Sequence, residues 1–272
     1  MPIARVNGIG IYYEEHGRGR PLVWSHGFAC GAKMWEPQVA AFAGRYRVIV
    51  YDVRGHGASE VPPAAEAYSQ PTSVEDLSQL LRHLGITGAC VGGLSMGGNI
   101  ALNLSLAHPE IVAGLIIADT GAGSDEPEDW RSKCREWAAI LEARGIEAFA
   151  DVMTADPLLA HYVAQGPEAA RRMRSLVTTH RANGLAHTLR GVLATRPTIY
   201  TLEPRLKGLQ VPALIIVGEH DEPCVKVSRY MAETLPRAEL VEIKGVGHMT
   251  NLEDPTSFNV VVERFLARLW CG

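Results

Sequence analysis

The segment VGGLSMGGN (residues 91–99) places one serine, Ser95, among four glycines: Gly92, Gly93, Gly97 and Gly98. A serine hydroxyl becomes a nucleophile only when a base takes its proton, and that base needs a third group to orient it. The chain has ten histidines. His248, in KGVGHMTNLEDP, is selected as the base because it sits on a glycine-rich loop directly after the last strand-like run. Two aspartates compete as the orienting acid. Asp221 ends VPALIIVGEHD, one strand before His248, and Asp119 ends GLIIAD, the strand after the serine turn. Chain order favours Asp221, since serine, acid and histidine follow one another when a G-x-S-x-G turn joins strand to helix. The rival Asp119 is read as a turn or helix-capping residue before Thr120 and Gly121. An attacked carbonyl becomes an oxyanion and needs N–H donors. The backbone N–H groups of Met96 and of Phe28, after WSHG, are expected to supply them. This set of residues would perform acyl transfer to Ser95 followed by hydrolysis.

The glycines fit a tight turn. ACVGG reads as a strand and MGGNIALNLSLAHP as a helix, so Ser95 stands at their junction, with strained dihedrals. Side chains at positions 93 and 97 would collide there, and Gly98 and Ala101 let the helix lie close to the sheet. A phosphate-binding loop is the competing explanation. The spacing fails G-x-G-x-x-G from both Gly92 and Gly93, and no G-x-x-x-x-G-K-[ST] occurs. Among the other histidines, His26 is expected to brace its loop, and His83 and His108 to cap helix ends or face solvent. His161, His180 and His187 fall in a helical stretch, and His220 is a solvated neighbour of Asp221.

Strand-like runs at 11–16, 21–26, 46–52, 89–94 and 114–119 alternate with helix-like segments, which implies βαβ units and a mostly parallel sheet. The segment SVEDLSQLLRHLG carries Val74, Leu77, Leu80, Leu81 and Leu84 on one helical stripe. Thr72 and Glu75 stand at capping-box spacing ahead of it, and Gly85 closes it. From about 120 to 205 the strand pattern stops and helices alone are expected, broken at Pro157, Gly166–Pro167 and Gly184. Strand signal returns at 211–221 and 238–245, followed by amphipathic helices. The domain reading is a core of residues 1–119 and 206–272 interrupted by a helical cap, 120–205.

The chain has 272 residues, 47% hydrophobic and 21% charged, with net charge −4. No basic surface argues for nucleic acid or an anionic membrane. No signal-like opening and no apolar run of membrane-spanning length is present, so a cytoplasmic location is expected. Cys30, Cys90, Cys134, Cys224 and Cys271 are odd in number and widely spaced, against a disulfide framework or zinc site.

With HGF (26–28), DVRGHGAS (52–59), GLSMGG (93–98), GEHD (218–221) and GVGHM (245–249) in order, the chain resembles the α/β-hydrolases over nearly its whole length. The resemblance implies an α/β fold with an eight-stranded, mostly parallel sheet, helices on both faces and a helical cap. It also implies a serine hydrolase that needs neither metal nor organic cofactor. Within the family, GLSMGG, LIIADTGAG and a Trp-rich first cap helix are most similar to 3-oxoadipate enol-lactonases and small carboxylesterases. Haloalkane dehalogenases and epoxide hydrolases carry Asp where this chain has Ser95. Ring-cleavage C–C hydrolases commonly carry Asn where it has Leu94. Arg54 and His56 of DVRGHGAS are read as structural. Trp130, Trp137, Phe149, Met153, Leu158 and Leu159 offer an apolar cleft wall, though each also suits ordinary packing.

Residues 120–200 hold nine arginines and one lysine against ten acids, a balance that points to solvated helix faces. A neutral carboxylic ester is therefore the first substrate class and an enol-lactone the second. C–C bond hydrolysis and a small-molecule receptor role stay open, as does the oligomeric state.

Overall fold

The computed structural model describes residues 2–270; Cys271 lies outside them. The strands β1 (Ile3–Val6), β2 (Ile9–His16), β3 (Arg20–Ser25), β4 (Tyr46–Tyr51), β5 (Ala89–Leu94), β6 (Val112–Ala118), β7 (Ala213–Gly218) and β8 (Ala238–Ile243) form one sheet. Their order is β1-β2-β4-β3-β5-β6-β7-β8. β2 is antiparallel to β1 and β4, and every other neighbour is parallel. The inner strands β5 and β7 are buried along their whole length. That burial is why they read as unbroken apolar runs rather than alternating ones.

The helices are α1 (Glu36–Phe42), α2 (Gln70–His83), α3 (Met96–Ala107), α4 (Pro127–Thr154), α5 (Ala160–Ala164), α6 (Pro167–Thr178), α7 (Ala182–Thr188), α8 (Glu203–Gly208), α9 (Glu222–Thr234), α10 (Thr250–Glu253) and α11 (Pro255–Trp270). Adjacent strand residues point to opposite faces, and β5 shows what covers each. A Cβ on Gly92 would press on the Trp24 ring, which packs beside Phe258 of α11. A Cβ on Gly93 would strike the backbone of α3. Helices therefore cover both faces, and the site-bearing turn lies between sheet and α3.

Between β6 and β7 the described elements are all helical. α4 is kinked at Gly145, whose φ of 77° interrupts the helical backbone. Gly184, expected as a break, instead lies inside α7. Its role is close approach: a Cβ there would sit 2.3 Å from the Gly55 carbonyl oxygen of the core. The capping-box expectation for α2 also changes. Ser69 is the N-cap and accepts the Thr72 N–H at 3.1 Å, so Thr72 lies within the helix. Gly85, at φ 65°, closes it as expected.

β1 has no counterpart in the sequence reading. It is a four-residue edge strand, joined to β2 by Asn7 and Gly8, both at positive φ (46° and 78°). Asn-Gly between short extended runs is a strong hairpin signal.

Candidate active site

Ser95 ends β5's approach and caps α3 with φ 56° and ψ −112°, a region that side-chain-bearing residues rarely occupy. The turn is locked from both sides. Ser95 N–H donates to the Ala118 carbonyl at 2.9 Å, and its own carbonyl accepts the Asn99 N–H at 3.1 Å. Each flanking glycine leaves room for a specific neighbour. A Cβ on Gly97 would lie 2.0 Å from the Ser25 carbonyl oxygen, and one on Gly98 would lie 2.0 Å from Thr120 Oγ1. Gly97→Ala is expected to cost about 3 kcal/mol of stability or more, because backbone cannot yield as a side chain can. Urea unfolding of that variant measures it, and a midpoint matching wild type would refute the steric account.

His248 and Asp221 meet. His248 Nδ1–H donates to Asp221 Oδ2 at 2.8 Å with both side chains buried, which leaves Nε2 available to a reacting group. Burial opposes a charged imidazole, but the Asp221 charge and hydrogen bond outweigh it, with Asp119 and Glu253 adding to them. The His248 pKa is therefore raised above the usual 6.5.

Asp119 does not bond the histidine. Its Oδ1 accepts the Gly218 N–H at 2.9 Å, while Oδ2 accepts the N–H and hydroxyl of Thr250. It ties the ends of β6 and β7 to the segment after His248. Burial and the adjacent Asp221 charge push its carboxyl well above the ordinary carboxylate range.

Ser95 and His248 open on one cavity of about 30 Å³, with Phe28 in the same wall. Met96 is the first residue of α3, so its N–H is among the helix's N-terminal donors without an intrahelical partner. The cavity walls are otherwise apolar: Leu94, Trp130, Trp137, Met153, Leu158 and Leu159 take part. Of the aromatic and aliphatic residues singled out in the sequence, only Phe149 stands outside this lining. It is fully buried and packs edge-on against Phe28 and Trp137. Met173 and Leu193 line the cavity without having been expected. A helical apolar stripe does not tell which of its members faces a cleft. An adjoining cleft of about 400 Å³ shares the Trp130 and Leu158 walls.

The bracing role of His26 is visible in its bonds. Nε2 accepts the Val53 N–H at 2.9 Å, so Nδ1 carries the proton and donates to the Gly27 carbonyl at 2.7 Å. Arg54 is buried in a pair with Asp76, away from the cavity. His180, from the helical insertion, accepts the Gly57 N–H of the core at 2.7 Å. The thiols Cys30, Cys90, Cys134 and Cys224 are all free and buried. The described groups that could gather around a metal ion reduce to Asp221, Cys224 and His248, two of which already bond each other. Among the described residues no helix is long and apolar enough to cross a membrane.

A family model described as alpha/beta hydrolase fold matches residues 20–255. The chain is 28% identical to 3-oxoadipate enol-lactonase 2 of Acinetobacter baylyi, over 96% of this chain and 94% of that protein. Its structure is similar to the enol-lactonase of Burkholderia xenovorans LB400, with TM-score 0.86, 30% identity and coverage of 98% and 100%. It is also similar to a thermophilic esterase from Thermogutta terrifontis, with TM-score 0.88, 29% identity and 98% coverage of each chain. With this sheet order, a serine at the strand-to-helix turn and a histidine–aspartate pair beside it, the chain belongs to the α/β-hydrolase family.

Proposed function

We propose that the protein hydrolyses carboxylic esters with a short, uncharged acyl part, through an acyl-enzyme on Ser95. The observation that carries this reading is the shared cavity, on which Ser95 opens together with a His248 already oriented by Asp221. In this mechanism His248 Nε2 takes the hydroxyl proton as Ser95 Oγ attacks the carbonyl carbon. The N–H groups of Met96 and Phe28 receive the oxyanion. The imidazolium, stabilised by Asp221, protonates the departing alcohol. Water then attacks the acyl-enzyme with His248 again as base, releasing the acid and restoring Ser95. The helical insertion, residues 120–205, serves as the cap whose side chains select the substrate, over a core of residues 1–119 and 206–272.

Size and charge support the substrate class. A cavity of about 30 Å³ is a small multiple of the roughly 10–15 Å³ that a single water needs, so we assign it a short acyl group. No lysine or arginine lines it. Arg196 lies over the Trp130 ring, 5.4 Å from its centroid, and Lys133 lies over Trp137 at 4.8 Å while paired with Asp156. An enol-lactone bearing a carboxylate would find indole rings, not cations, at the wall of this cavity, Lys133 lining only the adjoining cleft. Lactone hydrolysis is the second reading, favoured by the enol-lactonases to which the chain is similar.

The test is labelling with a fluorophosphonate, followed by intact mass, alongside turnover of p-nitrophenyl acetate, butyrate and octanoate. One adduct on Ser95 with acetate turned over faster than octanoate is expected. Absence of an adduct would overturn the nucleophile, and a preference for octanoate would overturn the short-acyl assignment.

A further inference from the structure

The loop that carries His248 is held by a side chain the reaction scheme does not use. Glu253, at the end of α10, turns its carboxylate back toward the loop. Its Oε2 accepts the Gly247 N–H at 2.7 Å and its Oε1 accepts the Met249 N–H at 2.9 Å. These are the N–H groups of the residues immediately before and after His248. One carboxylate therefore brackets the histidine from both sides, with each oxygen committed to one N–H. Charged acceptors make the stronger class of hydrogen bond. The other side of the loop is filled by the helical insertion, since a Cβ on Gly247 would lie 2.8 Å from the His161 Cβ. Gln165 of the insertion also donates to the Glu253 carbonyl at 3.0 Å.

We infer that Glu253 is a positioning residue for His248, its bracket fixing the direction of the imidazole. The Glu253 charge also favours the protonated ring. The inference rests on the proposed role of His248 as general base. Three carboxylates face this ring's neighbourhood: Asp221 from the β7 end, Asp119 from the β6 end, and Glu253 from α10. The Cys224 thiol of α9 also lies near the Asp221–His248 pair. Asp221 bonds the ring directly and Asp119 holds Thr250. Glu253 alone of the three accepts the N–H groups of both residues that flank His248.

Glutamine in its place cannot reproduce the bracket. Its amide offers one oxygen, and its NH2 would confront a second peptide N–H, donor against donor. Glu253→Gln should therefore lower kcat by roughly ten- to a hundredfold, the scale of a small misplacement of a catalytic group, with KM nearly unchanged. The acid limb of kcat/KM, which reports the free enzyme's base, should move to lower pH. Glu253→Asp keeps the charge but loses one methylene of reach, so kcat should fall while the acid limb stays at its wild-type position.

Both variants would be measured beside Ser95→Ala, with thermal melting as the check on folding. Wild-type kcat and an unmoved acid limb in Glu253→Gln, with Ser95→Ala dead, would overturn this inference and leave the hydrolase reading intact. A loss of kcat in Glu253→Gln with an unmoved acid limb would reduce Glu253 to a helix-end role and also overturn it. An acid limb that moves in Glu253→Asp as far as in Glu253→Gln would do the same. Activity retained by Ser95→Ala would instead overturn the underlying mechanism.

Discussion

Ser95→Ala is expected to lower kcat by about five orders of magnitude or more, the scale seen when a serine nucleophile is removed, with no loss of thermal stability. The remaining cavity walls offer no second hydroxyl to take its place. Stability and activity separate here because the turn is fixed by backbone bonds, Ser95 N–H to Ala118 and the Asn99 N–H to Ser95. Ser95→Gly sharpens the test. Alanine keeps the cost of φ 56°, whereas glycine occupies positive φ freely. The glycine variant should be equally inactive yet more stable by about 1 kcal/mol, the lower end of such strain. Steady-state ester kinetics and calorimetry on both variants decide it. Turnover within tenfold of wild type in either, or a glycine variant that melts below the alanine one, would contradict the strained-nucleophile account.

The second large effect is on stability at acid pH. His26, His56 and His180 form a buried aromatic cluster, with ring centroids 4.9 Å apart between the first two and 5.2 Å between the last two. Burial lowers the pKa of His26 and of His180 from 6.5 to about 4, and lowers that of His56 well below 6.5. Geometry acts in the same direction. His26 Nε2 and His180 Nδ1 each accept a peptide N–H, so a proton there would face another donor. Above pH 6.5 the rings are neutral folded or unfolded and exert no pH dependence. As pH falls from 6.5 towards 4 the unfolded chain takes up protons that the folded cluster refuses, and stability is lost across that window. A gap of this size is worth about 3 kcal/mol for each of His26 and His180, against a total of about 5–15 kcal/mol for a typical protein.

Groups with raised pKa values act oppositely. His248 and Asp119 bind protons more readily when folded. The cluster is therefore best measured by difference. His180→Asn supplies a non-titrating acceptor for the Gly57 N–H. Relative to wild type, its unfolding free energy should rise by about 3 kcal/mol between pH 7 and pH 4. Urea titrations at several pH values supply the comparison, and a constant difference would show that His180 does not carry the effect.

The proposed nucleophile and its proposed partners were singled out in the sequence because local chemistry marks them. Four glycines announce a turn that no ordinary strand-to-helix junction needs, and Asp221 and His248 each follow a strong strand signal at the same sheet edge. The choice between Asp221 and Asp119 rested on order alone, and in the structure it is Asp221 that bonds His248 Nδ1. Glu253 was not legible, since a glutamate five residues after a histidine looks solvated until α10 turns it back on the loop. Ser69 as the α2 cap was obscured by Gln70 and Pro71, which open the helix ahead of the apolar stripe. Gly184 misled because glycine serves equally as a breaker and as a gap for a neighbour. His180 reads as one more polar residue of a helical stretch, and its burial follows only from where α7 docks.

The contact of Gly184 with the Gly55 carbonyl, and of His180 with the Gly57 N–H, has an evolutionary corollary. That seam joins insertion to core through main-chain atoms and one imidazole, so it makes little use of the side chains that shape the cavity. Trp130, Leu158 and Met173 can drift or be redesigned without undoing the anchorage that holds their helices over Ser95. Under the proposed mechanism substrate range is thereby the more evolvable property of this protein, since its attachment points change only at the cost of the fold and its reacting groups only at the cost of activity.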